Sequence, residues 1–303
     1  MSASGSNKAI IAALAANIGI AATKFVAAAV SGSASMFAEA IHSLADSGNQ
    51  VLLIIGGRRS RREATENHPF GFGRSRYIYA FLVSIVLFSI GGLFSIVEGI
   101  NKLGEPHELE QAWLPLTVLA VSIVLETFSL RTALVEVKKD RGDKTLIQYI
   151  RHAKAPELPV VVLEDIAALV GLVLAFAGVG LTVVTHNPIF DAIGTLAIGG
   201  LLVLVAIVLG LETSSLLVGE GASTADVSEI RTALETSKGV NSVIHLKTLY
   251  LGPDEIMLGA KIAVSPNVTA QEIAQIIDAA EVAVRTAIPA VRVIYLEPDI
   301  LRG

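Results

Sequence analysis

Six long apolar runs follow one another along most of the chain. The runs are Ala9–Val30, Ser33–Gly57, Ile78–Ile100, Trp113–Leu134, Leu158–Val184 and Ile189–Leu211. A helix crosses the apolar part of a bilayer with about 20 consecutive apolar residues. Each run is near that length, and short polar turns or longer charged loops separate them. The pattern therefore predicts a six-helix membrane domain within residues 1–213.

The pattern changes after residue 211 to that of a water-soluble domain. Ser223 with Asp226, and Thr269 with Glu272, resemble the capping boxes that open helices. Strand-like runs follow at 242–251, 256–264 and 291–296. The order α-β-β-α-β predicts a small α+β domain over residues 214–303, ferredoxin-like or metallochaperone-like, with an antiparallel sheet.

Composition agrees with a membrane protein. Hydrophobic residues make up 52% of the 303 residues and charged residues only 17%, whereas about a quarter is usual in soluble domains. The chain has no cysteine, which excludes disulfides, thiolate metal ligands and a cysteine nucleophile. The net charge of -5 lacks the basic excess of nucleic-acid-binding proteins. We expect no nucleic-acid partner and no bound cofactor.

Positive charge is concentrated in two of the loops between the apolar runs. By the positive-inside rule, these loops and both termini face the cytoplasm, and we expect a bacterial plasma membrane. The basic residues of the two loops are Arg58, Arg59, Arg61, Arg62, Arg74 and Arg76, and then Arg131, Lys138, Lys139, Arg141, Lys144, Arg151 and Lys154.

A stripe of polar residues interrupts the second apolar run. Glu39, His42, Asp46 and Asn49 are three, four and three residues apart, so a helix places them on one face. Such groups are costly in hydrocarbon when unpaired. The stripe must therefore line a cavity or face another helix, and intramembrane ionisable groups are functional candidates.

The stripe contains a candidate metal-ligand pair. His42 and Asp46 are one helical turn apart, so both side chains can bind one cation. A tetrahedral site needs about four ligands, and the fifth run supplies Glu164 and Asp165 in an otherwise apolar stretch. Asp165 is the preferred ligand, and Glu164 is assigned to the coordination shell or to proton transfer.

A purely structural stripe is the alternative interpretation. Lys24 in the first run could pair with Glu39 or Asp46, and polar side chains also join membrane helices by hydrogen bonds. Structural or interfacial roles are assigned to Glu98, Glu126 and Asp191.

These features together resemble the cation diffusion facilitator family. The most specific stretches are Ser35–Gln50, which contains the motifs Glu-Ala-Ile-His-Ser and Gly-Asn-Gln, and the segment His68-Pro69-Phe70-Gly71-Phe72-Gly73-Arg74. Together with Leu163-Glu164-Asp165 in the fifth run, these motifs resemble those of the family branch that includes animal zinc transporter nine. The resemblance covers essentially the whole chain.

The resemblance implies a set of ligand positions. His42, Asp46 and Asp165 match three positions of the family's central transport site, but Val161 stands where many members have a fourth ligand. Glu164 or Asn49 is then the candidate for the fourth ligand. In the loop after the second run, Phe72 replaces a second histidine, which leaves His68 and Glu66 for an interfacial site. The cytoplasmic domain contains only His245, so no binuclear zinc cluster is expected there.

The resemblance also implies a homodimeric transporter that moves zinc, or a similar divalent cation, out of the cytoplasm in exchange for protons. One imidazole among carboxylates favours zinc, with iron and cobalt possible, over harder manganese or magnesium. We expect no enzyme activity, because an intramembrane metallohydrolase would need a motif such as His-Glu-x-x-His, and the chain has none. A membrane scaffold or regulatory protein without transport is the remaining alternative.

Overall fold

A computed structural model of the chain describes residues 3–105, 109 and 111–300, with the side chains of residues 3–16 and 140 left aside. The chain divides into two compact units. The first unit contains the residues up to Gly57 together with Ile78–Thr213, and the second contains Arg58–Tyr77 together with the residues from Ser214 onward. Each unit is described separately.

The first unit is built from long helices that coincide with the apolar runs of the sequence, together with a short helix in the loop between the fourth and fifth runs. A π-helical stretch, Leu87–Leu93, lies within the third of them. The helices are α1 (Ala3–Ser31), α2 (Ala34–Arg59), α3 (Ser75–Gly104), α4 (Trp113–Arg141), the short α5 (Leu146–His152), α6 (Glu157–Thr185) and α7 (Ile189–Val218).

Four helices in the described part of the chain, α3, α4, α6 and α7, are long and apolar enough to cross a membrane. In α1 the described apolar stretch is the shorter Asn17–Ser31. Helix α2 is less apolar because it carries the polar stripe, but Glu39, His42 and Asn49 of that stripe are buried among protein atoms. A multi-pass helical membrane domain is therefore confirmed, and membrane crossing by α1 and α2 stays a prediction.

The helices approach closely where glycine leaves room. A Cβ atom built on Gly92 of α3 would lie 2.7 Å from Val203 of α7, and one built on Gly199 of α7 would lie 2.7 Å from Ile96 of α3. Small residues at such contacts are typical of membrane helix pairs. The shared core consists of residues such as Leu119, Leu172 and Leu202, so part of the surface of the long helices is buried against other helices.

The second unit contains the predicted α+β domain, which confirms the α-β-β-α-β order. Its core joins both helices to the sheet through residues such as Ile230, Leu258 and Ile276. Thr269 and Glu272 form the predicted capping box. The elements are α8 (Thr224–Thr236), β1 (Ser242–Gly252), β2 (Glu255–Ala263), α9 (Ala270–Ala287) and β3 (Val291–Asp299).

The prediction of an antiparallel sheet is wrong for one of its two strand pairs. The strand order is β1-β2-β3. Strands β1 and β2 form an antiparallel hairpin, whereas β2 and β3 are parallel, with Leu258 opposite Ile294. Helix α9 carries the chain back along the sheet between β2 and β3, so that β3 enters in the same direction as β2.

Candidate metal site

Asp191, at the beginning of α7, fixes the beginning of α2. Its carboxylate accepts hydrogen bonds from the Ala34 N–H at 2.7 Å and the Ser33 hydroxyl at 2.9 Å. It also accepts bonds from the N–H and the hydroxyl of Ser35. The free N–H groups of a helix N-terminus favour a negative charge. The structural role predicted for Asp191 is therefore confirmed, and it holds the helix that carries the polar stripe.

The predicted ligand pair lies halfway along α2. Nδ1 of His42 is 3.5 Å from Oδ1 of Asp46, and the His42 side chain is only 1% exposed. Neither ring nitrogen of His42, nor Oδ1 of Asp46, has a hydrogen-bond partner among the described residues. Buried polar atoms are almost always paired, so this pair presents a nitrogen and an oxygen suited to binding a cation.

Asn49 joins the stripe to α6. Its Nδ2 donates a hydrogen bond of 2.7 Å to Oε1 of Glu164, and both side chains are buried. The other polar atom of the amide, Oδ1, has no partner in the described part of the chain. The hydrogen bond fixes the orientation of the Glu164 carboxylate, which borders the same cavity as Asp46.

Asp165 is held by α4 rather than by α2. Its Oδ2 accepts a hydrogen bond of 3.1 Å from the hydroxyl of Ser129. The residue is half-buried and borders the same cavity as Asp46. The structure therefore brings Asp165 to the same cavity as Asp46, and one oxygen of Asp165 is hydrogen-bonded to a serine of α4.

This space is a cavity of about 120 Å³ between α1, α2, α4 and α6. Four acids border it, Asp46, Glu126, Glu164 and Asp165, and Lys24 is the single cation among the described residues of its wall. His42 and Asn49 do not border the cavity directly. Both are buried, and their spacing places them on the same face of α2 as Asp46.

The cavity is not a preformed metal cage. Over residues 3–105, 109 and 111–300, no three side chains of His, Asp or Glu lie close enough together to hold one metal ion. His42 and Asp46 are adjacent, whereas Asp165 is turned toward Ser129. Binding by all three side chains therefore requires a rearrangement of the cavity wall.

Glu126, for which the sequence predicts a structural or interfacial role, lies in the cavity wall. Ser122, Glu126 and Ser129 are four and three residues apart on α4, and all three border the cavity. Their spacing is the same kind of one-sided polar stripe that identified the α2 residues. That signal was present in the sequence and identifies α4 as part of the site.

His68, the histidine of the loop after α2, lies in the second unit. Its ring stacks on Phe72 with 4.5 Å between the ring centres, and its Nδ1 is 3.5 Å from the hydroxyl of Thr65. The aromatic residue that replaces a second histidine is therefore a packing partner of His68.

Two family models match nearly the whole chain. The model of the cation efflux transmembrane domain matches residues 10–218, and the model of the cation efflux protein cytoplasmic domain matches residues 222–299. These are domains of transporters and not of enzymes, as the sequence predicted.

The curated relatives agree with this assignment. The proton-coupled zinc antiporter SLC30A9, mitochondrial, of Xenopus laevis is 35% identical over 79% of this chain and 43% of its own length. The metal tolerance protein C4 of Arabidopsis thaliana is 32% identical over 85% of this chain and 57% of its own length. The magnetosome protein MamM of Magnetospirillum gryphiswaldense is 27% identical over 84% of this chain and 76% of its own length.

The chain thus spans less than half the length of the frog antiporter and somewhat more than half of the plant protein. The family models together extend over both of its units. The chain therefore belongs to the cation efflux family of membrane transporters, the cation diffusion facilitators.

Proposed function

We propose that this chain exports a divalent cation, zinc foremost, in exchange for protons. The proposed ligands are His42 and Asp46 of α2 and Asp165 of α6. The observation that carries the proposal is the buried pair of His42 and Asp46, whose facing nitrogen and oxygen atoms have no hydrogen-bond partner in the described chain. A divalent cation would satisfy both atoms at once.

Glu164 is proposed as the fourth ligand. The hydrogen bond from Asn49 orients its carboxylate, and ligating carboxylates generally need such a supporting partner. Asn49 is then an orienting residue, and its own Oδ1 is the alternative fourth ligand. One imidazole with three carboxylates favours zinc over magnesium or manganese, in agreement with the name of the frog relative, a zinc antiporter. Iron, cobalt and manganese are the alternative substrates.

Exchange with protons follows from the chemistry of the same groups. A metal binds the neutral imidazole and the ionised carboxylates, and these groups can take up protons when the metal leaves. Metal and protons then compete for one set of atoms. Alternating exposure of the cavity to the two sides of the membrane converts this competition into antiport.

Loading of the site would move Asp165. Its carboxylate has to turn from Ser129 of α4 toward Asp46 of α2, which couples metal binding to the packing between α4 and α6. The hydrogen bond to Ser129 keeps Asp165 in place when it is not a ligand.

We also propose that the protein is a homodimer joined mainly through its C-terminal domain, with both termini in the cytoplasm. A bacterial plasma membrane is proposed as the host, whereas the frog relative carries the word mitochondrial in its name. Expression with a fluorescent tag at either terminus distinguishes the membranes, and crosslinking of the purified protein measures the oligomeric state.

The function is tested by metal uptake into proteoliposomes that contain a zinc dye and a pH dye. Wild type is compared with Asp46→Ala, Asp165→Ala and the matched control Glu98→Gln, an acid of α3 outside the cavity wall. We expect zinc flux with opposite proton movement in wild type and in the control, and neither in the two ligand variants. Folded wild type that moves no zinc, iron, cobalt or manganese would contradict the proposal and favour a scaffold.

A further inference from the structure

A buried ion pair stands beside the proposed metal site. Nζ of Lys24 lies 3.2 Å from Oε2 of Glu39 and donates a hydrogen bond of 2.7 Å to the Ser43 hydroxyl. Lys24 is 4% exposed and Glu39 is fully buried. Charged groups at such positions in a membrane domain are stable only with a partner. Each of the two residues is therefore needed to neutralise the buried charge of the other.

Glu39 shares its helix face with the proposed ligands. It precedes His42 by three residues and Asp46 by seven, which in a helix places the three side chains in one row. Its second oxygen, Oε1, has no hydrogen-bond partner in the described residues. A carboxylate oxygen therefore lies one turn from the ligand pair, and the Lys24 ammonium neutralises its charge.

The position of the Glu39 carboxylate is also restricted by α6. A Cβ atom built on Gly171 would lie 2.6 Å from Oε1 of Glu39. The carboxylate thus rests against bare helix backbone on one side and against Lys24 on the other. The Glu39 carboxylate is therefore closely packed on both sides, unlike the carboxylate of a surface ion pair.

Lys24 itself borders the cavity that Asp46, Glu164 and Asp165 border. Its ammonium bonds to Glu39 and Ser43. If Glu39 lost its charge, the ammonium would have the carboxylates of the cavity as its nearest alternative partners. The ion pair therefore keeps Glu39 from binding a metal ion, and it keeps Lys24 from pairing with the carboxylates of the proposed ligands.

We propose that Lys24 determines the specificity of this transporter by keeping the Glu39 carboxylate out of the coordination shell of the transported cation. This inference rests on the proposed function. An additional carboxylate ligand shifts a site toward harder cations such as manganese, which prefer oxygen. When Glu39 does not coordinate the cation, the single imidazole makes up a larger fraction of the ligands, and zinc is preferred.

The test compares manganese and zinc uptake by proteoliposomes containing wild type, Lys24→Met, Lys24→Arg and the double variant Lys24→Met with Glu39→Gln. Lys24→Met releases Glu39, and we expect the ratio of manganese uptake to zinc uptake to rise about tenfold, equivalent to about 1.4 kcal/mol of relative binding. Lys24→Arg keeps the ion pair and the wild-type ratio. The double variant lacks the released carboxylate and is expected to return to the wild-type ratio.

A second pair of variants covers the case in which Lys24→Met does not fold. Glu39→Gln leaves the Lys24 ammonium free to bind the cavity acids, so the KM for zinc should rise about tenfold. Adding Lys24→Met removes that competing cation and should restore the KM. A merely structural ion pair would change protein yield and stability, but not the ratio of the two metals or the KM in this reciprocal way.

The possible results separate this inference from the proposed function. Wild type that transports zinc, with uptake ratios and zinc KM within twofold of wild type in every folded variant, would overturn the role of Lys24 and leave the transport function standing. Wild type that transports no divalent cation would overturn both. A raised manganese ratio that persists in the double variant would also overturn it, because Glu39 would then not be the added ligand.

Discussion

We expect replacement of Asp191 to destabilise the membrane domain more than replacement of an acid that does not accept several hydrogen bonds from another helix. Asp191 is fully buried and accepts bonds from Ser33, Ala34 and Ser35 at the beginning of α2. In Asp191→Ala these donors lose the carboxylate that they bond to on α7. The change also removes the negative charge that faces the helix N-terminus.

The magnitude follows from these contacts. A hydrogen bond to a charged group contributes about 1.5–3 kcal/mol, and loss of an N-terminal cap costs about 0.5–2 kcal/mol. Because the bonds share one carboxylate, their contributions are not additive. We expect Asp191→Ala to lower the free energy of unfolding by about 3–5 kcal/mol. Asp191→Asn keeps one carbonyl acceptor and should cost about 1–3 kcal/mol.

The assay is reversible unfolding in mixed micelles with increasing denaturing detergent, followed by circular dichroism. Glu98→Gln is the matched control, because it also neutralises an acid of a membrane helix and should stay within about 0.5 kcal/mol of wild type. If Asp191→Ala unfolds at the same detergent fraction as wild type and the control, Asp191 does not hold α2, and the account of how the site is positioned is wrong.

Three further changes test other parts of the structure. Gly171→Ala should destabilise the protein by about 1–3 kcal/mol, because its Cβ would lie 2.6 Å from a buried carboxylate oxygen, whereas Gly180→Ala on the same helix meets nothing within 4 Å and should be neutral in the same unfolding assay. Ser129→Ala frees Asp165 to turn toward α2, so zinc affinity measured by calorimetry should rise up to about tenfold; a fall would mean that Ser129 orients a ligand. Hydrogen bonds from the N-terminus of α9 lower the pKa of Glu272 from its ordinary value of 4.5, so its stabilisation is present above that value and is lost as pH falls through the lowered pKa. Hydrogen exchange in the first turn of α9 should therefore be slower in wild type than in Glu272→Gln at neutral pH, and a difference that persists at the lowest pH would contradict this.

The hydrophobic pattern predicts the elements well because helices and strands are periodic in sequence. Each of the six predicted apolar runs coincides with a long helix, except that Ser33 lies just before α2, and the capping box at Thr269 begins α9 as expected. Strand direction is different, since alternation marks a strand but carries no information on its partner. The helix between β2 and β3 did contain that information, because a crossover of this kind joins parallel strands.

The site was only partly predictable, because its contacts join distant parts of the chain. The stripe on α2 identified His42 and Asp46, whose polar atoms are buried without hydrogen-bond partners among the described residues. Lys24 could equally have paired with Asp46, and only the fold shows that Glu39 is its partner. The bond between Asn49 and Glu164 spans 115 residues. No local spacing predicts such a contact.

One cation is expected to bind between α2 and α6, and titration calorimetry of the purified protein with zinc measures that binding. Wild type is compared with Asp46→Asn, Asp165→Asn and Glu98→Gln, each first shown to be folded. We predict one zinc site per chain in wild type and Glu98→Gln, with proton release on binding, and loss of that site in each of the other two variants. Zinc binding with wild-type affinity in both Asp46→Asn and Asp165→Asn would contradict the account.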